Sequence, residues 1–250
     1  MRTVIFHYHL FKNAGTSLDA IFKKNFGDKW VTKEFPPNPK ANREAVAEWI
    51  LNEKEAVCFS SHTANLPPPN IKGIKVIPVI FVRHPIDRIV SAYNFESKQA
   101  DGGFGSVLAK NTTLSGYIET RLSLLHDRQC RNFHTHRFAA FISDPKKSEL
   151  DRALGAIESL PIVGVVDEFD KSIAFLTELL RKEGFDAFSA VKGVELNVTR
   201  PVKEELLQRV DHIVSGLRAD VYRKLAEANM DDMALYNRAK DILALYQLDP

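Results

Sequence analysis

Short, continuously apolar runs alternate along this chain with longer runs in which apolar residues recur every three or four positions. Residues 3–9 are the first apolar, β-rich run and stop at a glycine-containing turn; over 16–26, Leu18, Ile21, Phe22 and Phe26 keep helical spacing. The same order returns further on. Residues 56–60 and 76–82 predict two buried strands, and Pro85 suits the first turn of a helix running to about Phe95. Between the first strand–helix pair and these, residues 43–52 place Val46, Trp49 and Ile50 on one helical face. Residues 161–166 predict a further strand, and a helix starting at Asp167 or Glu168 carries Ile173, Phe175, Leu176, Leu179 and Leu180 to a stop at Gly184; from Pro201 onward the pattern is helical. Strands that are apolar throughout, rather than alternating, are covered on both faces. The expected class is therefore α/β, with a central, mainly parallel sheet between two helix layers in one domain over 1–250. Ligands in such sheets bind beyond the carboxyl ends of the strands.

Two stretches interrupt the pattern. Phe35-Pro36-Pro37-Asn38-Pro39 is expected outside regular structure, and Asp101-Gly102-Gly103-Phe104-Gly105 is the most flexible composition in the chain. Mobile segments are expected near 33–41 and 97–111, with a helix resuming near Thr112. Composition narrows the function. With 34 basic and 32 acidic residues the net charge is +2, too small for a surface that tracks nucleic acid, so an anionic ligand must be met by a local cluster. Cys58 and Cys130 lack metal-binding or disulfide-framework spacing, which suits a reducing cytoplasm. The opening residues lack a signal-peptide pattern, and 76–82 is far shorter than a membrane span. A cytoplasmic protein without a span is expected.

The chemistry gathers at two strand ends. After the first strand, Lys12-Asn13-Ala14-Gly15-Thr16-Ser17 combines small residues, a cation and the start of a helix, whose unpaired amides favour an anion. The lysine precedes the glycine, unlike a Walker loop, which disfavours an ATP-dependent kinase. An ordinary turn capped by Thr16 or Ser17 is the alternative. After the 76–82 strand, Arg83 sits at its carboxyl edge and Ser91 lies about two turns into the next helix. Together they can hold a second anion if that helix folds back along the sheet edge. Arg88 either shares the face of Ser91 or is structural, pairing with Asp87 or another carboxylate.

With both anion sites in place, the sequence resembles the sulfotransferases that use 3′-phosphoadenosine 5′-phosphosulfate (PAPS), in the sulfotransferase-2-like branch with bacterial and carbohydrate-modifying members. His9-Leu10-Phe11-Lys12-Asn13-Ala14-Gly15-Thr16-Ser17 is similar to the family's 5′-phosphosulfate loop, with Phe11 and Asn13 standing where proline and threonine are usual. The 3′-phosphate motif R-x-P-x-x-R-x-x-S-x-Y is complete from Arg83 to Tyr93. Fainter echoes fall at 164–169, 196–199 and 232–236. The resemblance implies a P-loop-type three-layer fold and metal-free, in-line transfer of a sulfonyl group from PAPS to a hydroxyl or amine, leaving PAP. It assigns Lys12, Asn13, Ala14, Gly15, Thr16 and Ser17 to the 5′ side of the donor, and Arg83 and Ser91 to its 3′-phosphate. Lys12, with the Thr16 and Ser17 donors, would stabilise charge growing on the leaving oxygen.

A hydroxyl acceptor needs a base. His62 is the candidate, because it follows the 56–60 strand and should emerge at the same sheet edge; a loop histidine with only a structural bond is the alternative. Glu44 and Glu53 are the carboxylates to consider next. His9 reads as structural or donor-facing, and His84 as a cap. The pairs His7/His9 and His134/His136 have metal-compatible spacing, but no carboxylate or cysteine cluster stands nearby in sequence, so no metal is expected. The basic stretch 128–137 reads as an acceptor or 3′-phosphate contact, or as a solvated face. Two other functions compete: a non-catalytic nucleotide-binding regulatory module and a P-loop kinase.

Overall fold

The structure is a computed structural model that describes residues 1–189 and 205–246; the echo at 196–199 lies outside them. Among the described residues five strands form one sheet: β1 (Arg2–Tyr8), β2 (Trp30–Thr32), β3 (Cys58–Ser61), β4 (Ile74–Val82) and β5 (Val163–Val165). Their order is β2-β3-β1-β4-β5 and every pairing is parallel. Pro78 sits inside β4, where its missing N–H costs no pairing, because β5 joins only from Ile80 onward.

The two faces of the sheet sort by alternate residues. Val4, Phe6 and Tyr8 of β1 join Ile80 and Val82 of β4 in one core. That core is covered by α2 (Pro39–Asn52), α7 (Glu149–Ser159) and α11 (Met230–Leu245). Ile5, Ile77, Val79 and Phe81 point the other way, against α1 (Gly15–Phe26) and α8 (Phe169–Lys182). This is the three-layer arrangement the apolar strands predict, and it is consistent with the P-loop-type fold that the resemblance implies. A third, smaller core joins α3 (Pro85–Glu96), α4 (Phe104–Asn111), α5 (Leu114–Ser123) and α10 (Ala219–Ala228). The remaining helices are α6 (Phe133–Ala139) and α9 (Leu206–Gly216).

Several boundaries differ from expectation. The Pro-rich stretch does not stay irregular to its end: the Asn38 side chain accepts from the amides of Lys40 and Ala41, and Pro39 opens α2, where a missing N–H is harmless. Phe35 is buried against Trp49, with ring centroids 5.5 Å apart. The glycine-rich stretch ends early, since α4 already starts at Phe104; the Ser106 hydroxyl ties this start back to Asp101. The edge strand β2 and helix α6 are too short to stand out in the sequence, whereas α7, not among the expected elements, is readable there: Leu150, Ala153, Leu154 and Ile157 keep helical spacing behind a Ser148 cap. No helix among the described residues is long and apolar enough to cross a membrane.

Candidate active site at the carboxyl edge of the sheet

β1 and β4 bring the two sequence motifs together. The turn from β1 into α1 is tight: Lys12 has φ 63° and Ala14 φ 58°, left-handed conformations that cost a non-glycine residue about 1–2 kcal/mol each. The bend starts α1 at Gly15, where the Gly15 and Thr16 amides have no carbonyl four residues back in the helix to accept them. Thr16 is exposed and Ser17 buried. Arg83 follows β4 directly, and its Nη1 donates to the Lys12 carbonyl at 3.3 Å. The Lys12 ammonium rests 4.4 Å from the centre of the Phe95 ring of α3. Partial burial and the neighbouring Arg83 lower its pKa. Ser91 lies partly exposed on α3.

Asn13 is 2% exposed and turned inward, so its side chain supports the loop from below. Its Nδ2 donates to the Phe11 carbonyl at 3.0 Å, and its Oδ1 lies 2.8 Å from His134 Nε2. His134 Nδ1 lies 3.1 Å from Asp232 Oδ2, and Asp232 Oδ1 also accepts from the Thr135 amide and hydroxyl. The turn is thus anchored through α6 to α11. Most of the basic stretch 128–137 is likewise engaged internally. Arg128 and His136 share Glu149, and Arg131 donates to carbonyls of the α5 end. Arg137 has no carboxylate partner among the described residues and donates to Asn65 at 3.4 Å.

The arginine side corrects the sequence reading. Asp87 pairs with Arg83, at 2.7 Å to Nη2, and with Arg209 of α9 at 3.3 Å; it does not pair with Arg88. Arg209 reaches Asp167 as well, at 2.8 Å. Arg88 is fully buried, stacked 4.2 Å from the Phe133 ring centre and bonded to the Gln129 carbonyl. Its role is structural. His84 makes no side-chain cap to α3; burial lowers its pKa, and its Nδ1 has no partner among the described residues.

On the other side of the lysine turn, imidazoles meet carboxylates. His7 and His9, two apart, lie on the face that meets α1, and both Nδ1 atoms bond Asp19, at 2.7 and 2.8 Å. The Ser60 hydroxyl of β3 adds a third bond to that carboxylate at 2.6 Å. Burial would raise the Asp19 pKa, but these bonds outweigh it and hold the carboxyl well below the usual range. Burial is also the main reason that His9 stays below its ordinary value. A Cβ on Gly15 would fall 2.1 Å from His9 Cδ2, so only glycine lets the helix start this close to the ring. His7, His9 and Asp19 have metal-ligand chemistry, yet the atoms that face one another are already joined by hydrogen bonds.

His62 follows β3 and packs against His9, with ring centroids 3.9 Å apart and the ring planes tilted by 32°. It is 57% exposed, and its Nδ1 lies 2.6 Å from Oε1 of Glu34, in the segment after β2. Burial works against the Glu34 charge, but bonds from the Thr63 hydroxyl and from the His62 ring and amide outweigh it and lower the Glu34 pKa. Glu44 and Glu53 lie on and just after α2 and have no bond to His62. Glu34, Asp19 and Arg209 carry no motif; β2, too short to read from the sequence, is what brings Glu34 to this edge.

The arrangement is a lysine turn flanked by a guanidinium cluster and an imidazole cluster, and the sequence matches the sulfotransferase family over residues 2–159. The chain belongs to that family. The chain is also 43% identical over 248 residues to an uncharacterized protein of Archaeoglobus fulgidus, covering 96% of this chain and 97% of the relative. Sulfonyl transfer is the chemistry this membership supports.

Proposed function

We propose that this sulfotransferase takes its sulfonyl group from PAPS and passes it to an acceptor hydroxyl on a carbohydrate, a lipid-linked sugar or a small metabolite. It would act as a single-domain cytoplasmic enzyme by metal-free, in-line displacement. PAPS supplies the activated sulfonyl group and leaves as PAP. The turn from Lys12 to Ser17 suits the 5′ end of such a donor: the Gly15 and Thr16 amides at the start of α1 and the Lys12 ammonium put positive groups on one short turn. Lys12 offsets the negative charge that grows on the leaving oxygen. Arg83 and Ser91 hold the 3′-phosphate. His62 takes the acceptor's proton as its oxygen attacks sulfur, and its exposure leaves room for an acceptor.

The observation that carries this reading is the bond from Arg83 Nη1 to the Lys12 carbonyl, which joins two anion-binding motifs 71 residues apart into one edge. Calorimetry with PAP, ATP and ATP plus magnesium tests the donor. PAP binding that ignores magnesium is expected; magnesium-dependent ATP binding without PAP binding would overturn it. Turnover of PAPS with a panel of hydroxylated acceptors then tests catalysis, and PAP binding without turnover on any of them would leave a binding module.

A further inference from the structure

Glu34 is bonded on both oxygens, and the two oxygens have different partners. Oε2 accepts from the Thr63 hydroxyl at 2.7 Å, the His62 amide at 3.1 Å and the Ser61 hydroxyl at 3.3 Å. The Thr63 hydroxyl itself accepts from the Phe35 amide at 2.6 Å, so its proton is committed to Glu34. Every partner of Oε2 is a donor. Oε1 takes the same amide at 3.2 Å and stands 2.6 Å from His62 Nδ1. An ionised carboxylate only accepts, so the hydrogen of the neutral ring must sit on Nδ1. The second ring nitrogen, Nε2, has no hydrogen-bond partner among the described residues. His9, held in turn by Asp19, packs against one side of the ring, and Glu34 bonds its Nδ1 edge. The titratable groups facing His62 are thus Glu34 from the segment after β2 and His9 from the end of β1, with Asp19 of α1 behind His9.

We propose that Glu34 is the positioning residue for His62: it fixes the ring proton on Nδ1 and so leaves Nε2 as the nitrogen able to accept a proton. The proposal rests on the reading of His62 as the base. It also gives the negative carboxylate a second task, stabilising the imidazolium that forms once the acceptor proton arrives.

Glu34→Gln exploits the difference between the two oxygens. Three donors surround the Oε2 position, so the amide oxygen settles there and the NH2 group takes the Oε1 position, facing His62 Nδ1 as a donor. The neutral ring must then carry its hydrogen on Nε2, where it cannot serve as base. Nitrogen NMR of the imidazoles at about pH 8.5, above an ordinary histidine titration, reads this without any acceptor. We expect the Nδ1–H form in the native protein and in Glu34→Asp, and the Nε2–H form in Glu34→Gln. In turnover with PAPS and the fastest acceptor of the panel, Glu34→Gln should lower kcat by about 10²–10⁴-fold with the KM for PAPS unchanged. The double variant with His62→Ala should be no slower than His62→Ala alone, and Glu34→Asp should recover part of the rate. A Glu34→Gln protein that keeps the Nδ1–H form, or keeps its kcat while His62→Ala loses it, overturns the proposal. Failure of the base reading is seen separately, as His62→Ala retaining full kcat.

Discussion

The two flanks of the lysine turn use different cations. Toward β4 and α9 the charges are guanidiniums, Arg83 and Arg209, gathered around the fully buried Asp87 and around Asp167. Toward β3 the cationic candidates are imidazoles, His7, His9 and His62, set on Asp19 and Glu34. A guanidinium stays charged throughout the working pH range, whereas an imidazole gains and loses its proton near neutrality. One flank is therefore suited to hold a fixed anion and the other to handle a proton, with Lys12 between them. Under the proposed function the donor's 3′ end would lie toward β4 and the acceptor toward β3.

His62→Ala probes this division most severely. Removing a general base should lower kcat by about 10²–10⁴-fold and leave PAP affinity nearly unchanged. Steady-state kinetics with calorimetry on PAP checks this; loss of PAP binding as well would mean that the imidazole flank also holds the donor. Lys12→Ala comes next. Its interaction strengthens as the leaving oxygen gains charge, so kcat should fall by about 10²–10³-fold and PAP binding far less. A rise in KM alone, with kcat intact, would contradict the transition-state role.

Arg83→Ala should act through binding. Loss of a charge-assisted contact of about 1.5–3 kcal/mol weakens PAP and PAPS alike by roughly 10–100-fold, while kcat at saturation changes little. Arg209 still faces Asp87 in this variant, so folding should survive, as a melting curve would show. An Arg83→Ala protein with full PAP affinity would remove the anion-holding role from this flank.

The smallest effect concerns stability. His9 and His84 are both pushed below the ordinary histidine value, chiefly by burial. The unfolded chain then binds more protons than the folded one as pH falls below about 6.5, so stability should decline from there. Asp19, whose pKa is lowered, adds stability that is present above the ordinary carboxylate range and lost as pH falls through it, so a second decline should start near pH 4. Melting temperatures across this range check both steps, and a flat profile between about pH 7 and 5 would contradict the first.

Much of the frame was legible because it depends on neighbours in sequence. The apolar run of β1, the 3.6 period of α1 and Pro85 at the start of α3 are local signals, and each element formed where its signal stood. The Lys12 and Arg83 motifs were legible for the same reason, as short patterns on strand ends. Asn13 shows the limit. Its place in the loop was readable, but its inward turn depends on His134, 121 residues away.

The sequence by itself determined the longer strands and most of the helices, that the sheet is mainly parallel and buried on both faces, and which cations stand at the carboxyl ends of β1 and β4. Tertiary structure alone decided which carboxylate each cation meets. Asp19 reaches His7 and His9 because α1 packs on the odd-numbered face of β1, Glu34 reaches His62 because β2 pairs with β3, and Asp87 turns to Arg83 and Arg209 because Arg88 is buried against Phe133. Hydrophobic periodicity repeats over a few residues and leaves a trace in any window of the chain. Apart from Arg83 and Asp87, which are four residues apart, each of these pairs takes one residue from each of two separate segments, so nothing in either segment marks the partner until the fold has brought them together.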